Sequence, residues 1–595
     1  MTFNLTDFKD ELILHEQDII KEIIEVWEVD KEKYRGSKKL VKMIIKINGE
    51  RANIFVGFKD SYPSSLPLFF DLDNAFGTIP HKEKDGFLCF TNSNAIVIDK
   101  RYPVSLFLNC VEKVVDLIEA GLNGENTSDF KSEFEAYWRH IAKGKLHAAI
   151  DTDNRNIREI DLWMGKENNP LLIASEKGLK NVNEIIKTIF HFDINQQRKY
   201  RCVYIPLKDS SILPPTESKE WDYSHVKNIF KNNLSKGARQ KFQKIIKKKD
   251  KSIRYGKEFV IFSLALSNGN TALFAYFMEG TNYSYLHPLI QKPNNLELIP
   301  LALERWHPKY LLNRTNGNTK LINKHIAVIG VGSVGSEIAV RFAKSGVQHL
   351  TLIDNDVLEL ENVYRHALGN NQVYKKNKKK QLKNVPKVIA LKNEIEIKYP
   401  FTKVTPIPQD INDVLKNGSL DLKNIDIVVV AIGSANQEMD INEKMHSLKQ
   451  PPPTIFAWNE PLGIGGHVLI TLNQESTGCY QCLFKPIDDK PIHNRSSFAK
   501  PGQDFSKDLT GCGSLYVPYS FIDSEKTALL TVENTMKLLN GELQDNPLLS
   551  WKGDAKQLKS EGFETSYRFS LDSQKLYNSR LLYKDEKCPI CSGKG

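Results

Sequence analysis

Apolar positions between residues 7 and 28 recur at helical spacing, through Phe8, Leu12, Ile19, Ile23, Ile24 and Trp27, and predict an amphipathic helix. Two strand-like runs follow at 40–47 and 52–58, separated by Asn48-Gly49, a dipeptide typical of tight hairpin turns. After Tyr62-Pro63-Ser64-Ser65-Leu66-Pro67 comes another apolar strand at 68–72, then a loop around Cys89. A second amphipathic helix is predicted from about Ser105 to Ala120, stopping near Gly121. Helix, meander, irregular loop and helix make a small α+β domain over residues 1–145.

Residues 146–315 read as a mixed linker or scaffold domain. Strand candidates lie at 172–174, 202–205, 259–266 and 272–277, with a Lys-rich helical stretch at 234–249, and no repeat or catalytic motif. From His325 the pattern changes to strand, Gly-rich turn, helix, strand. That is the βαβ rhythm of a doubly wound sheet, persisting to about residue 470 and defining a third domain over 316–595. The expected class is α/β: a doubly wound, Rossmann-like domain preceded by an α+β domain and a mixed linker.

Length agrees, since 595 residues at about 150 per domain suggest three or four domains. With 41% apolar and 26% charged residues, the chain is not largely disordered, collagenous or coiled coil. No window approaches the ~18 uncharged apolar residues of a membrane span. The first residues lack a basic segment followed by an apolar one, so no signal peptide and a cytoplasmic location are expected. The 82 basic and 72 acidic residues leave a mild +10, with Lys clustered at 236–251 and 375–383. The first cluster holds one aromatic, Phe242, and the second none, so both read as solvated faces rather than nucleic-acid stacking platforms.

The strand at 325–329 runs into Gly330-Val331-Gly332-Ser333-Val334-Gly335, a helix and the strand 350–354. The first Gly permits a tight turn, the second lets backbone approach phosphate and the third lets the helix pack closely. The helix N-terminus then presents free N–H groups to an anion. Asp354 lies 24 residues after Gly330, suited to a ribose hydroxyl. A Gly-rich structural turn is the plainer alternative, and the strand–turn–helix–strand–Asp context favours a nucleotide. Further on stand Asp356, Asn362 and Arg365, the last able to grip phosphate bidentately.

This stretch resembles the ThiF/MoeB/ubiquitin-activating superfamily, whose pattern is Asp-x-Asp, then Asn-x-x-Arg, then a Lys. The resemblance implies adenylation of a C-terminal glycine carboxylate by ATP with Mg2+. It puts Asp354 on ribose, Asn362 and Arg365 near the phosphates, and Asp356 in the same site. Counted forward from Arg365 the Lys is Lys378; counted back from Tyr399-Pro400 it is Lys387. A basic insertion of nine residues reconciles the two, and Val385-Pro386-Lys387-Val388 keeps the local pattern, so Lys387 is preferred. The family's magnesium-binding Asp is replaced by Gly433. Either another carboxylate, such as Asp440, helps hold the metal, or magnesium rests mainly on the phosphates.

The chain has eight cysteines. Cys479-x-x-Cys482 and Cys588-x-x-Cys591 supply four soft ligands suited to a tetrahedral structural zinc, with a redox dithiol as the alternative. The resembled family has such a split site. Cys512 lies between Gly511 and Gly513, in a loop where a thiolate can attack an adenylate, or where a Cys is incidental. Activating enzymes that form thioesters carry their Cys in this part of the chain.

Cys89 follows His81-Lys82-Glu83-Lys84-Asp85-Gly86-Phe87-Leu88, downstream of Tyr62-Pro63 and Pro67. This resembles ubiquitin-conjugating domains and implies thioester transfer on Cys89; a buried apolar-loop Cys is the plainer reading. The family's Asn two residues beyond its His is Glu83 here. Asn92 or Asn94 would have to substitute, or the acceptor chemistry differs. Cys110 and Cys202 read as core.

One adenylation site and two thiols make a relay: acyl-adenylate, Cys512, Cys89, then an amine. The fused order resembles the bacterial activating–conjugating fusions of CBASS anti-phage operons. That resemblance implies that the activated carboxylate belongs to a cGAS-like nucleotidyltransferase, or else to a ubiquitin-like protein, with a target protein or small-molecule amine as acceptor. It also implies a homodimer through the adenylation domain; the lack of an apolar span and the near-absence of aromatics among the basic runs lead us to expect no membrane or nucleic-acid partner. A sulfur-carrier adenylating enzyme of cofactor biosynthesis would leave Cys89 idle. An NAD-dependent oxidoreductase would explain only the Gly-rich turn. A non-catalytic scaffold with a degenerate adenylation fold would fit the missing Asp at 433.

Overall fold

The computed structural model describes residues 12 and 19–592, apart from 29, 31, 92–95, 167–169, 180, 209–210, 216–220, 249–252, 267–268, 282–286, 316–318, 475–476, 486–492 and 508–515. Two compact units emerge: Met1–Lys180 with Gln196–Trp306, and Asn181–Asn195 with His307–Gly595. The α+β region and most of the middle region fall in the first of these units.

In the first unit, β1 (Ile20–Glu28), β2 (Lys39–Ile47), β3 (Glu50–Phe58), β4 (Leu68–Phe70) and β5 (Phe87–Leu88) form an antiparallel sheet in sequence order. Asn48 and Gly49 both take positive φ, 48° and 85°, as the hairpin turn between β2 and β3 requires. The helix expected over 7–28 is corrected where it is described, because 20–28 is a strand paired antiparallel with β2. Apolar residues there also satisfy a strand, and pairing with an apolar hairpin outweighs local helical spacing. Residues 7–11 and 13–18 lie outside the described residues. Helix α1 (Pro103–Leu122) buries Phe107, Cys110, Val111, Val114 and Ile118 in the same core as Val56 and Phe69. Two short helices follow, α2 (Asp129–Ser132) and α3 (Phe134–Ile141).

The middle region is a closed barrel rather than an indefinite mixed linker. Its strands are β6 (Gly144–Ala149), β7 (Arg158–Met164), β8 (Leu172–Glu176), β9 (Arg198–Pro206), β10 (Ile253–Ala265), β11 (Thr271–Thr281) and β12 (Asn294–Arg305), ordered β10-β11-β12-β6-β8-β7-β9. Alternation sorts each strand between two cores: Tyr200, Cys202 and Tyr204 join Leu146, Ala174 and Ile261 in one, and Val203 and Ile205 join the other. That second core packs under α3, α4 (Tyr223–Asn233) and α5 (Lys236–Lys247), through Phe134, Trp138, Phe230 and Phe242. A buried ion pair, Arg201 Nη2 to Glu258 Oε1 at 2.6 Å, is completed by Arg201 Nη1 donating to the Ile246 carbonyl.

The second unit is built on a seven-stranded sheet. Its strands and helices are β13 (His325–Ile329), α6 (Ser333–Lys344), β14 (His349–Ile353), β15 (Tyr374–Lys376), β16 (Leu382–Asn384), α7 (Lys387–Lys398), β17 (Lys403–Ile407), β18 (Ile427–Val430), α8 (Ala435–His446), β19 (Thr454–Asn459), β20 (Gly465–Thr471), α9 (Phe521–Leu539) and β21 (Leu548–Lys552). The order is β17-β14-β13-β18-β19-β20-β21, parallel through β19 and antiparallel beyond, while β15 and β16 form a separate hairpin. β18 is buried on both faces, as a central parallel strand covered by two layers must be. One layer holds α6, α7 and α9, and the other holds α8 and the four paired cysteines. Among the described residues no helix is long and apolar enough to cross a membrane.

Candidate nucleotide, metal and thiol sites

The Gly-rich turn needs its glycines for separate reasons. Gly330 has φ +79°, and a Cβ there would come 2.7 Å from the Ala431 carbonyl oxygen. A Cβ on Gly335 would come 1.9 Å from the Gly330 oxygen, so α6 could not pack against its own entry loop. A Cβ on Gly332 would meet nothing within 4 Å, since that position faces an open cleft. The cleft, about 760 Å³, is lined by Gly330, Gly332, Asp354, Asp356, Asn362, Arg365 and Lys387. It brings together every residue the nucleotide motif nominated except Gly335, which packs beneath.

Asp354 directly follows β14 and anchors the turn. Its Oδ2 accepts from the Val331 N–H and its Oδ1 from the Asp356 N–H, each at 2.8 Å. Burial pushes its carboxyl up, opposed by those two donors. Asn362 Oδ1 accepts from the Glu359 N–H at 3.1 Å, capping the short turn that presents Arg365. The Arg365 carbonyl accepts from Ser333 Oγ at 2.6 Å, and its guanidinium stands 5.4 Å from the Tyr519 ring centre. His366 Nε2 donates to the Val331 carbonyl at 2.8 Å, and its Nδ1 accepts from the Leu368 N–H. Burial lowers this imidazole to about 4, so it stays neutral and holds one tautomer.

Of the two lysines, Lys387 occupies the cleft, its Nζ 2.7 Å from Asp356 Oδ2. Lys378 is exposed in the turn of the β15–β16 hairpin, which is the basic insertion itself. Asp440 is exposed and does not line the cleft. The carboxylates that do, besides Asp354 and Asp356, are Asp410 and Glu438. Glu438 is buried on α8; it accepts from the Gly433 N–H at 3.0 Å and from the Tyr480 hydroxyl. Burial pushes its carboxyl up to about 7. No local pattern distinguishes it in the sequence; only the fold turns it into the cleft.

The four Sγ atoms of Cys479, Cys482, Cys588 and Cys591 lie within 4.8 Å of one another, all buried. Cys479–Cys588 is 3.7 Å and Cys482–Cys591 is 3.5 Å, far from disulfide length. A tetrahedron with Zn–S of ~2.3 Å has edges of ~3.8 Å, so the cage fits zinc. Asn442 Nδ2 donates to Cys479 Sγ at 3.5 Å, and Asn442 Oδ1 accepts from the Tyr480 N–H at 3.1 Å. Through Tyr480 the cage therefore reaches Glu438 and the cleft wall.

Cys89 is exposed just after β5, and its N–H donates to the His81 carbonyl at 2.8 Å. Partial desolvation of the thiol, then the carboxylates of Glu133 and Glu83, push its titration up, opposed by Arg35. Glu83, which stands where the conjugating family has Asn, is held by Arg35 at 2.6 Å. Asn92, Asn94 and Cys512 lie outside the described residues. Cys110 is buried on α1 and Cys202 within the barrel. No sequence pattern singles out Asp129 and Glu133, which contact His81 from α2 and the residue before α3.

Residues 309–503 match the ThiF family, and residues 21–147 match prokaryotic E2 family B. The ATP-dependent ubiquitin transferase-like protein Cap2 of Pseudomonas aeruginosa is 25% identical over 476 residues, covering 78% of this chain and 80% of that protein. The protein of the same name from Escherichia coli is 21% identical over 584 residues, covering 91% of this chain and 90% of that one. Among solved structures, Escherichia coli MccB aligns over 46% of this chain and 68% of its own, at 18% identity and a TM-score of 0.31.

Proposed function

For a chain that joins a prokaryotic E2 family B domain to a ThiF family domain, we propose an ATP-dependent activating and conjugating enzyme of the ubiquitin type. A partner's C-terminal carboxylate attacks the α-phosphorus of ATP, and pyrophosphate leaves. The Cys512 thiolate attacks the acyl carbonyl and AMP leaves. The Cys89 thiolate then takes the acyl group by thioester exchange as the Cys512 thiolate leaves, and an amine attacks the Cys89 thioester, forming an amide while the amine's proton passes to the departing Cys89 sulfur. The partner is a cGAS-like nucleotidyltransferase of a CBASS operon, as likeness to the activating–conjugating fusions implies, and the acceptor is a lysine or small-molecule amine.

The observation that carries this reading is the convergence of Asp354, Arg365 and Lys387 on one cleft at the Gly-rich turn. Two cations there suit a triphosphate better than the single pyrophosphate of a dinucleotide. Magnesium would add positive charge at the phosphates, and Asp356, Asp410 and Glu438 are the carboxylates able to hold it. Zinc in the four-cysteine cage would be structural, because no coordination position is left open. The two Cap2-named relatives span most of the chain, which favours the full relay over a sulfur-carrier adenylating role that leaves Cys89 unused.

Intact mass of protein from its own host, quenched in acid with and without thiol reductant, tests the relay. A reductant-labile, polypeptide-sized adduct is expected, which moves to Cys512 in Cys89→Ala and disappears in Cys512→Ala. Absence of any adduct with ATP and coexpressed partners would overturn it.

A further inference from the structure

His81 has every hydrogen-bonding group engaged. Its N–H donates to the Tyr137 hydroxyl at 2.8 Å, and its carbonyl accepts the Cys89 N–H at 2.8 Å. Its Nε2 faces Asp129 Oδ2 at 3.1 Å and its Nδ1 faces Glu133 Oε1 at 3.0 Å. Carboxylates only accept, so both ring nitrogens must carry protons for both contacts to be hydrogen bonds. The residue also holds φ +63°, a left-handed conformation that a non-glycine residue keeps only when its surroundings impose it.

The helix on the other side of these contacts is fixed in turn. Trp138 Nε1 on α3 donates to the Leu301 carbonyl of β12 at 2.9 Å, and its ring lies 4.9 Å from Phe274 of β11. Glu135 accepts from the Leu273 N–H at 2.6 Å and pairs with Arg305. The Cys89 loop is therefore tied through His81 to a helix mounted on the closed barrel.

We propose that His81 is a positioning residue which, as an imidazolium bridging Asp129 and Glu133, latches the Cys89 loop to the barrel-mounted α3. The barrel, which holds no catalytic motif, then serves as the rigid mount of the transfer thiol. The charged and titratable groups facing the latch are Asp129 of α2, Glu133 and Tyr137 beside and on α3, and Glu83 and the Cys89 thiol in its own loop. Glu83 is engaged by Arg35, and the neighbouring Lys82 ammonium is turned away onto Asp71 at 2.5 Å. Hydrogen bonds to Glu133, opposed by burial and aided by Asp129, raise the His81 titration above its ordinary value. The latch is therefore complete below about 6.5 and is lost as pH rises through that raised value. The importance of Cys89 rests on the transfer reading above, whereas the latch is a property of titration and backbone protection, so either can fail alone.

The test is performed on the full chain. The His81 midpoint is followed by NMR of labelled histidine, and the protection factor of the Cys89 amide by hydrogen exchange between pH 6 and 9. In wild type the protection is expected to fall roughly tenfold across the His81 titration, the scale of one charge-assisted hydrogen bond. Glu133→Gln and Asp129→Asn, which keep the shape, should each bring the His81 midpoint back toward about 6.5. His81→Ala should show low protection independent of pH. A wild-type midpoint at the ordinary value, or protection of the Cys89 amide unchanged from pH 6 to 9, would overturn the latch.

Discussion

Lys387 Nζ donates to Asp356 Oδ2 across 2.7 Å, and the backbone N–H of the same lysine donates to the Asp356 carbonyl at 3.0 Å. The first residue of α7 is thereby bound twice to the loop after β14, and the cation is aimed into the cleft before any ligand arrives. A preorganised charge acts on developing phosphate charge without having to reorient. Lys387→Met is expected to lower ATP–pyrophosphate exchange by ~100-fold. Lys378→Met, on the exposed hairpin, should leave it unchanged. A loss in Lys378→Met with none in Lys387→Met would assign the phosphate-binding role to the hairpin instead.

Glu438 gives a pH signature. Its carboxyl is raised from 4.5 to about 7, so the folded protein binds a proton between those values that the unfolded chain has released. Stability therefore falls as pH rises from 4.5 to about 7, the opposite of a salt-bridged carboxylate. Glu438→Gln carries no such proton. Its denaturation midpoint relative to wild type should rise across that window and level off above it. A constant difference would show that Glu438 is ionised throughout.

The four-cysteine cage should hold stoichiometric zinc in protein purified without chelator, measured by plasma mass spectrometry. Thiolates brought this close without a cation repel one another, so the metal becomes part of the folding energy. Cys588→Ser is expected to lose the zinc and destabilise its unit by about 4 kcal/mol, the scale of losing a structural metal ligand. Full retention of zinc and stability would mean the cage is not a metal site.

Much of the second unit was legible because its signals are local. The glycines of the 330–335 turn, Asp354 and the two Cys-x-x-Cys pairs each announce a geometry within a few residues, as Asn48-Gly49 does for its hairpin. What was not legible depends on distant partners. The 20–28 segment fits either periodicity, and only pairing with β2 selects the strand. Four barrel strands could be read singly, but closure joins β12 to β6 and β10 to β9, across long separations. Glu438, Asp129 and Glu133 are ordinary acids on helical segments until the fold turns them toward the cleft and His81.

Cys89 should behave as a guarded thiol. Partial desolvation and the carboxylates of Glu133 and Glu83 raise its titration above the ordinary thiol value, opposed by Arg35. Less than the usual share is thiolate at neutral pH, and alkylation by iodoacetamide depends on the thiolate. The reaction at pH 7.5, followed by peptide mass spectrometry, should be slower than for a free thiol and faster at higher pH. Arg35→Ala should slow it by a further factor of roughly 3, through loss of a favourable charge. The same environment makes Cys89 a poorer leaving group, which suits the transfer role proposed for it. Cys89→Ser should then trap the acyl group as an ester that resists reductant and yields to alkali. Rapid alkylation in wild type together with no trapped ester in the serine variant would remove Cys89 from the relay.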